Sequence, residues 1–183
     1  FISTSSQKLF QKAKRLRFYG IEQFVKKNKF FKKYYANEHG INSRLDEIHA
    51  AILNVKLAHV KNYIIMRKKL AKLYSNELSN TSLKLPIEKK NCQHVFHLYT
   101  VYHPKRNLII KKLRRKNIQV KIYYPFPIHK MKAYSNMTSE KNLHLPMTEK
   151  MSKGIFSLPL YPKLKYSEAY QYTKILKNIM KGI

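Results

Sequence analysis

From Ser43 to Leu78 apolar residues recur at three- and four-residue steps, among them Leu45, Ile48, Ile52, Val55, Tyr63, Met66, Leu70 and Leu73. That spacing paints one face of an α-helix. A helix of this length seldom serves one compact domain. The chain is therefore read as two units joined by it, residues 1–62 and residues 63–183. The helix is expected to open directly from a glycine-led polar turn, Gly40-Ile41-Asn42-Ser43-Arg44. Ser43 and Asp46 stand at capping-box spacing, in which side chains satisfy the first free backbone N–H groups. Such a helix start attracts anions, phosphate above all. Asn42 adds a side-chain amide and Arg44 a permanent positive charge at the same spot. An ordinary capped helix shares the same Ser-x-x-Asp spacing, so the cap alone does not separate a site from a structural turn.

The remaining segments read as shorter elements. Residues 1–4 read as a strand end, and residues 6–17 as a short helix with Leu9, Phe10, Ala13 and Leu16 on one side, closed by Gly20. Residues 21–41 read as a loop carrying Lys26-Lys27-Asn28-Lys29-Phe30-Phe31-Lys32-Lys33. Beyond the long helix, His94–Tyr102 is rich in β-branched and aromatic residues and predicts a strand ended by Pro104. Asn107–Lys116 has helical spacing, and Ile118–Tyr123 alternates as a second strand. Residues 124–150, with Pro125, Pro127 and Pro146, predict a long loop. A short helical turn from Met151 then runs into a strand ending at Leu158, and Ser167 is expected to cap a last helix reaching Met180. Strand, helix, strand, strand, helix makes a small α+β layer.

Composition limits the functions open to such a chain. Thirty-eight Lys and Arg against 9 Asp and Glu give a formal charge of +29, which raises the question of a nucleic-acid partner. The basic residues are overwhelmingly lysines spread along the chain, whereas readers of bases and phosphates favour arginine. Frequent Asn, Ile, Tyr and Phe fit the residue bias of an A+T-rich genome. Nucleic acid is therefore not the expected partner, although a basic nucleic-acid-binding module is kept as an alternative. No apolar run approaches the ~18 residues of a membrane span. Cys92 is the single cysteine, so no internal disulfide forms and a reducing, cytoplasmic setting is expected. His94 and His97, three apart on a predicted strand, point to opposite faces and do not make a metal pair. No metal site is expected.

Five motifs in order carry a resemblance. Gly40-x-Asn42-x-Arg44-Leu45-Asp46-Glu47-Ile48-x-Ala50-Ala51-Ile52-Leu53 resembles the hallmark of the DegT/DnrJ/EryC1/StrS aminotransferases. Arg15-Leu16-Arg17-Phe18-Tyr19-Gly20 resembles the turn before it. His94-Val95-Phe96-His97-Leu98-Tyr99-Thr100-Val101, Tyr124-Pro125-Phe126-Pro127-Ile128-His129 and Ser157-Leu158-Pro159-Leu160-Tyr161-Pro162 resemble later family segments. The chain departs from the pattern at Ala36, where relatives often have His, and at His49, where they often have Gln.

The resemblance implies an α/β fold, the C-terminal part of a fold-type-I pyridoxal-phosphate enzyme with a small α+β C-terminal domain. Residues 1–62 would be the remainder of the large cofactor-binding domain, and 63–183 the small domain. It implies transfer of an amino group, usually from glutamate, to a nucleotide-linked keto-deoxy sugar for a polysaccharide or related glycan. It also implies a homodimer with shared active sites. The cofactor is pyridoxal 5′-phosphate, whose Schiff-base lysine lies upstream of residue 1 in the family's order, so the chain alone is not expected to catalyse. Asn42 matches the asparagine that reaches the cofactor phosphate of the neighbouring subunit. Arg44, His129 and Tyr35 match positions on the substrate side, with Tyr34 beside the last. Arg44 could instead pair with a helix-end carboxylate, and His129 could be an ordinary surface histidine. A folded, non-catalytic remnant of such an enzyme is the further alternative.

Overall fold

The computed structural model describes residues 2–21, 36, 38–131 and 143–183. The chain divides into two compact units, Phe1–Ala58 and His59–Ile183.

In the first unit, helix α1 spans Gln7–Leu16, and the Ser6 side chain accepts a hydrogen bond from the Leu9 N–H. The expected strand at residues 1–4 does not form: residues 2–4 have no regular structure, and among the described residues no segment supplies them with a ladder partner. After α1 the chain doubles back on glycine. Gly20 sits at φ +72°, and a Cβ there would lie 1.8 Å from the Glu38 carbonyl oxygen. A Cβ on Gly40 would lie 2.1 Å from the Gly20 nitrogen. Only two bare backbones can cross at that separation. The crossing is buttressed by Arg15, which donates from Nε (3.2 Å) and Nη2 (2.7 Å) to Glu38 Oε1.

Helix α2 spans Glu47–Leu78. Its start is four residues later than the Ser43 expected from the sequence. The cause lies in the backbone of residues 41–43, which pairs with the end of α1 before it can coil. Ile41 N donates to Leu16 O, Tyr19 N to Ile41 O, and Ser43 N to Arg17 O. Phe18 and Asn42 form an antiparallel bridge. The first helical carbonyl is that of Asp46, which accepts from Ala50 N at 2.9 Å. Asp46, not Ser43, therefore takes the capping position. Along α2, Ile48, Ile52, Val55 and Met66 are exposed, whereas Leu70 and Leu73 are buried.

The second unit holds the main core. Strand β1 (Tyr99–Tyr102) pairs antiparallel with β2 (Ile155–Leu158), Tyr99 opposite Leu158 and Tyr102 opposite Ile155. Single bridges from Lys84 to Tyr102 and from Lys121 to Ser157 extend the ladder on either side. Helices α3 (Arg106–Arg114), α4 (Pro146–Gly154) and α5 (Tyr166–Lys181) complete it. Tyr74, Leu78, Tyr99, Ile109, Leu113, Phe156 and Leu176 are sealed from solvent. The Tyr74 hydroxyl donates to Pro159 O at 2.7 Å, so even this deeply buried phenol is satisfied.

Several sequence expectations are corrected here. The strand expected over His94–Tyr102 is confined to Tyr99–Tyr102, because Phe96 adopts φ +47° and Arg67 Nη1 takes the Phe96, His97 and Leu160 carbonyls. His94 and His97 thus do not alternate on a strand; His94 Nδ1 instead accepts from Phe96 N. The strand expected at Ile118–Tyr123 reduces to the Lys121 bridge. Helix α4 begins at Pro146 inside the expected loop. In α5 the capping position is Lys165, with no side-chain bond, and Ser167 lies within the helix.

Candidate functional sites

In the first unit the extended segment that delays α2 also sets the candidate site. The Asn42–Phe18 bridge places their side chains on the same side of the pairing. The Arg44 guanidinium lies over the Phe18 ring, 4.4 Å from its centre. Arg17 Nε donates to Ser43 O at 2.9 Å, tying the segment down from the other side of the bridge. Arg17, Phe18, Arg44, Leu45, Asp46 and Glu47 line an open cavity of about 310 Å³. Asn42 is exposed, and among the described residues its side-chain amide makes no hydrogen bond.

Two expectations change. Arg44 does not pair with a helix-end carboxylate; it stacks on an aromatic face, a geometry that suits the planar guanidinium. Asn42 is not at the helix tip, because α2 starts at Glu47. The positive end of the helix already has its own acids, Asp46 and Glu47. Any phosphate recognised by Asn42 therefore relies on the side-chain amide and on Arg44 rather than on the helix dipole. The residues still fit such a group: a free amide donor and a guanidinium stand two positions apart on a segment held by backbone hydrogen bonds.

His129 belongs to the second unit, on a 3₁₀ turn over Ile128–Lys130. It is not an ordinary surface histidine. Its side chain is 7% exposed, and its Nε2 lies 3.1 Å from Glu149 Oε1. Lys130 Nζ stands 3.4 Å from the same oxygen, and Leu145 N donates to it at 3.4 Å. The hydrogen bond from His129, helped by Lys130 and Leu145 N–H against some desolvation, holds the Glu149 carboxyl down at about 2. A nearby cavity of about 400 Å³ is lined in part by Tyr102, His144, Glu149 and Lys153. Tyr34 and Tyr35 lie outside the described residues, as does the lysine-rich run Lys26–Lys33.

Phe18, Arg17 and Glu149 were not anticipated. Phe18 and Arg17 stand inside the turn motif Arg15–Gly20, which by itself points to no role for them. Glu149 follows Pro146 by three residues, a proline-led helix start with an acid in its first turn. That signal sits at the end of a proline-rich stretch that otherwise has the composition of a loop.

Residues 1–177 match the DegT/DnrJ/EryC1/StrS aminotransferase family. The chain belongs to that family. Among its relatives, the dTDP-3-amino-3,4,6-trideoxy-alpha-D-glucose transaminase of Micromonospora megalomicea is 33% identical over 187 residues, spanning 100% of this chain and 48% of the relative. The crystal structure of Streptomyces venezuelae DesV in complex with a ketimine intermediate superposes with a TM-score of 0.86 at 29% identity, over 98% of this chain and 46% of that one. The structure of NtdA from Bacillus subtilis with bound cofactor PMP gives a TM-score of 0.82 at 27% identity, over 98% of this chain and 41% of that one. These likenesses give the chain the fold-type-I α/β class. It spans a little under half the length of the curated relatives it matches. Among the described residues, no helix of this family member is long and apolar enough to cross a membrane.

Proposed function

We propose that the protein containing this chain is a pyridoxal-phosphate-dependent aminotransferase. It moves an amino group, with glutamate as donor, onto a nucleotide-linked keto-deoxy sugar destined for a polysaccharide or related glycan in the cytoplasm. Family membership over residues 1–177 is the observation that carries this reading. The Micromonospora relative is named as a transaminase of a dTDP-linked amino sugar, which supports the substrate class. When bound, pyridoxal phosphate supplies an electron sink through which the amino group leaves one carbon and joins another.

The chain's own part is to hold and position. Asn42 donates from its amide to the cofactor phosphate of a neighbouring subunit, and Arg44, steadied on Phe18, adds charge to the same edge. His129 serves the sugar-nucleotide side, with Tyr35 assigned there from the family match. The exposed apolar face of Ile48, Ile52 and Val55 supports an assembly in which a homodimer partner or the rest of the protein covers it. The linking helix divides the protein near residue 62 into a large cofactor-binding domain and the small domain.

The test is spectroscopic. The complete reading frame, expressed and supplied with pyridoxal phosphate, is expected to show a cofactor absorbance band that shifts when glutamate is added. A full-length protein with no such band removes the enzyme reading and leaves the non-catalytic remnant.

A further inference from the structure

The His129–Glu149 pair has a consequence that reaches beyond charge balance. An ionised carboxylate has no proton to give, so the imidazole nitrogen that faces it must carry the hydrogen. That nitrogen is Nε2, 3.1 Å from Glu149 Oε1. In a neutral ring the other nitrogen, Nδ1, is then an acceptor. The ring has little room to turn over, since its side chain is 7% exposed.

The carboxylate is itself fixed. Glu149 lies in the first turn of α4, where Oε1 also accepts from Leu145 N. At the other end of α4, the buried Arg106 donates from Nη1 to Ser152 O at 2.6 Å and to Ile155 O at 3.3 Å. No carboxylate pairs with Arg106 among the described residues, so its charge acts on the carbonyls at the C-terminal end of the helix, where a cation is favoured. Ser152 Oγ donates back to Glu149 O at 3.0 Å. The arrangement runs from a buried arginine through a capped helix to a carboxylate, and from the carboxylate to one nitrogen of one histidine.

We propose that Glu149 is a positioning residue that holds His129 as the Nε2–H tautomer, so that Nδ1 serves as hydrogen-bond acceptor for a ligand hydroxyl. On the function proposed above, on which the ligand's identity rests, that hydroxyl belongs to the sugar of the nucleotide-linked substrate. The acceptor role selects a ligand that offers O–H at this point over one that offers a bare carbonyl.

The experiment is nitrogen NMR of the full-length protein labelled in its histidines, with His129→Asn identifying the His129 signals. The wild type is expected to show His129 protonated at Nε2 and bare at Nδ1. Glu149→Gln matches the volume of the carboxylate, but its amide can donate as well as accept. It is expected to give a mixture of tautomers and to raise KM for a nucleotide-linked keto sugar about tenfold, with a smaller change in kcat. Glu149→Asp keeps the charge and is expected to retain the Nε2–H form, a second arm that stands if the glutamine variant folds poorly. A wild-type His129 protonated at Nδ1 overturns the proposal, as does a folded Glu149→Gln protein with unchanged tautomer and unchanged KM. The expected tautomers in a protein that transfers no amino group uphold the role of Glu149 and count against the enzyme reading instead.

Discussion

Asn42 is exposed, and its amide has no hydrogen-bond partner among the described residues; a donor so placed is available to a ligand. If it meets a phosphate, a charge-assisted hydrogen bond worth about 1.5–3 kcal/mol is lost on removing it. Asn42→Ala in the full-length protein is therefore expected to weaken pyridoxal-phosphate retention about tenfold or more, measured by equilibrium titration of the absorbance band, with little change in melting temperature. Glu149 makes a pH prediction. Its carboxyl is held well below the usual carboxylate range, at about 2, chiefly by the hydrogen bond from His129. A depressed pKa contributes stability that is present above the unfolded value and lost as pH falls through the folded one. The melting-temperature gap between wild type and Glu149→Gln is thus expected to hold at pH 5–7 and to shrink between about pH 4.5 and 2. A constant gap down to pH 2 would contradict the pairing. Of these side chains, the motifs single out Asn42, Arg44 and His129 as candidates. Their partners Phe18 and Glu149 are not singled out, because pairing between residues 20 or more positions apart leaves no period in the sequence.

The elements show where local reading works and where it stops. α1, α3 and α5 stand close to their expected bounds because short amphipathic helices announce themselves by spacing. The start of α2 does not, since residues 41–43 are claimed by backbone pairing with Leu16–Tyr19 before the helix can begin. A capping motif read in isolation cannot register that competitor. The strand expected at His94–Tyr102 shrank for a related reason: the Phe96 and His97 carbonyls go to Arg67 instead of a ladder. The glycine crossing gives the sharpest prediction at this scale. Gly20→Ala must adopt a positive φ and displace the Glu38 carbonyl, and Gly40→Ala must displace the Gly20 backbone. Strain of this kind costs about 1–3 kcal/mol before any backbone shift. Each variant is expected to melt several degrees lower and to weaken cofactor retention as well, because the same crossing carries Asn42. In the second unit, Phe156→Ala, in a fully buried strand position, is expected to cost about 3–5 kcal/mol by chemical denaturation.

For the whole molecule, the charge of +29 is the feature most open to misreading. Lysines dispersed along a chain raise its charge without building a reader of nucleic acid, and the family match over residues 1–177 assigns the chain elsewhere. That assignment was legible before any coordinates, because five motifs stood in order. The great length of α2 and its apolar stripe were legible too. What sequence periodicity could not reveal is that Ile48, Ile52 and Val55 lie exposed within this chain. The account's central claim is that this chain contributes Asn42 to a bound pyridoxal phosphate. The most direct measurement is the cofactor absorbance of the full-length protein and its Asn42→Asp variant, titrated with pyridoxal phosphate and then with glutamate. The account predicts a band in the wild type that shifts with glutamate, and a variant needing at least about tenfold more cofactor to reach the same band, since a carboxylate would face the phosphate. A wild type without a band, or a variant that titrates identically, would contradict it.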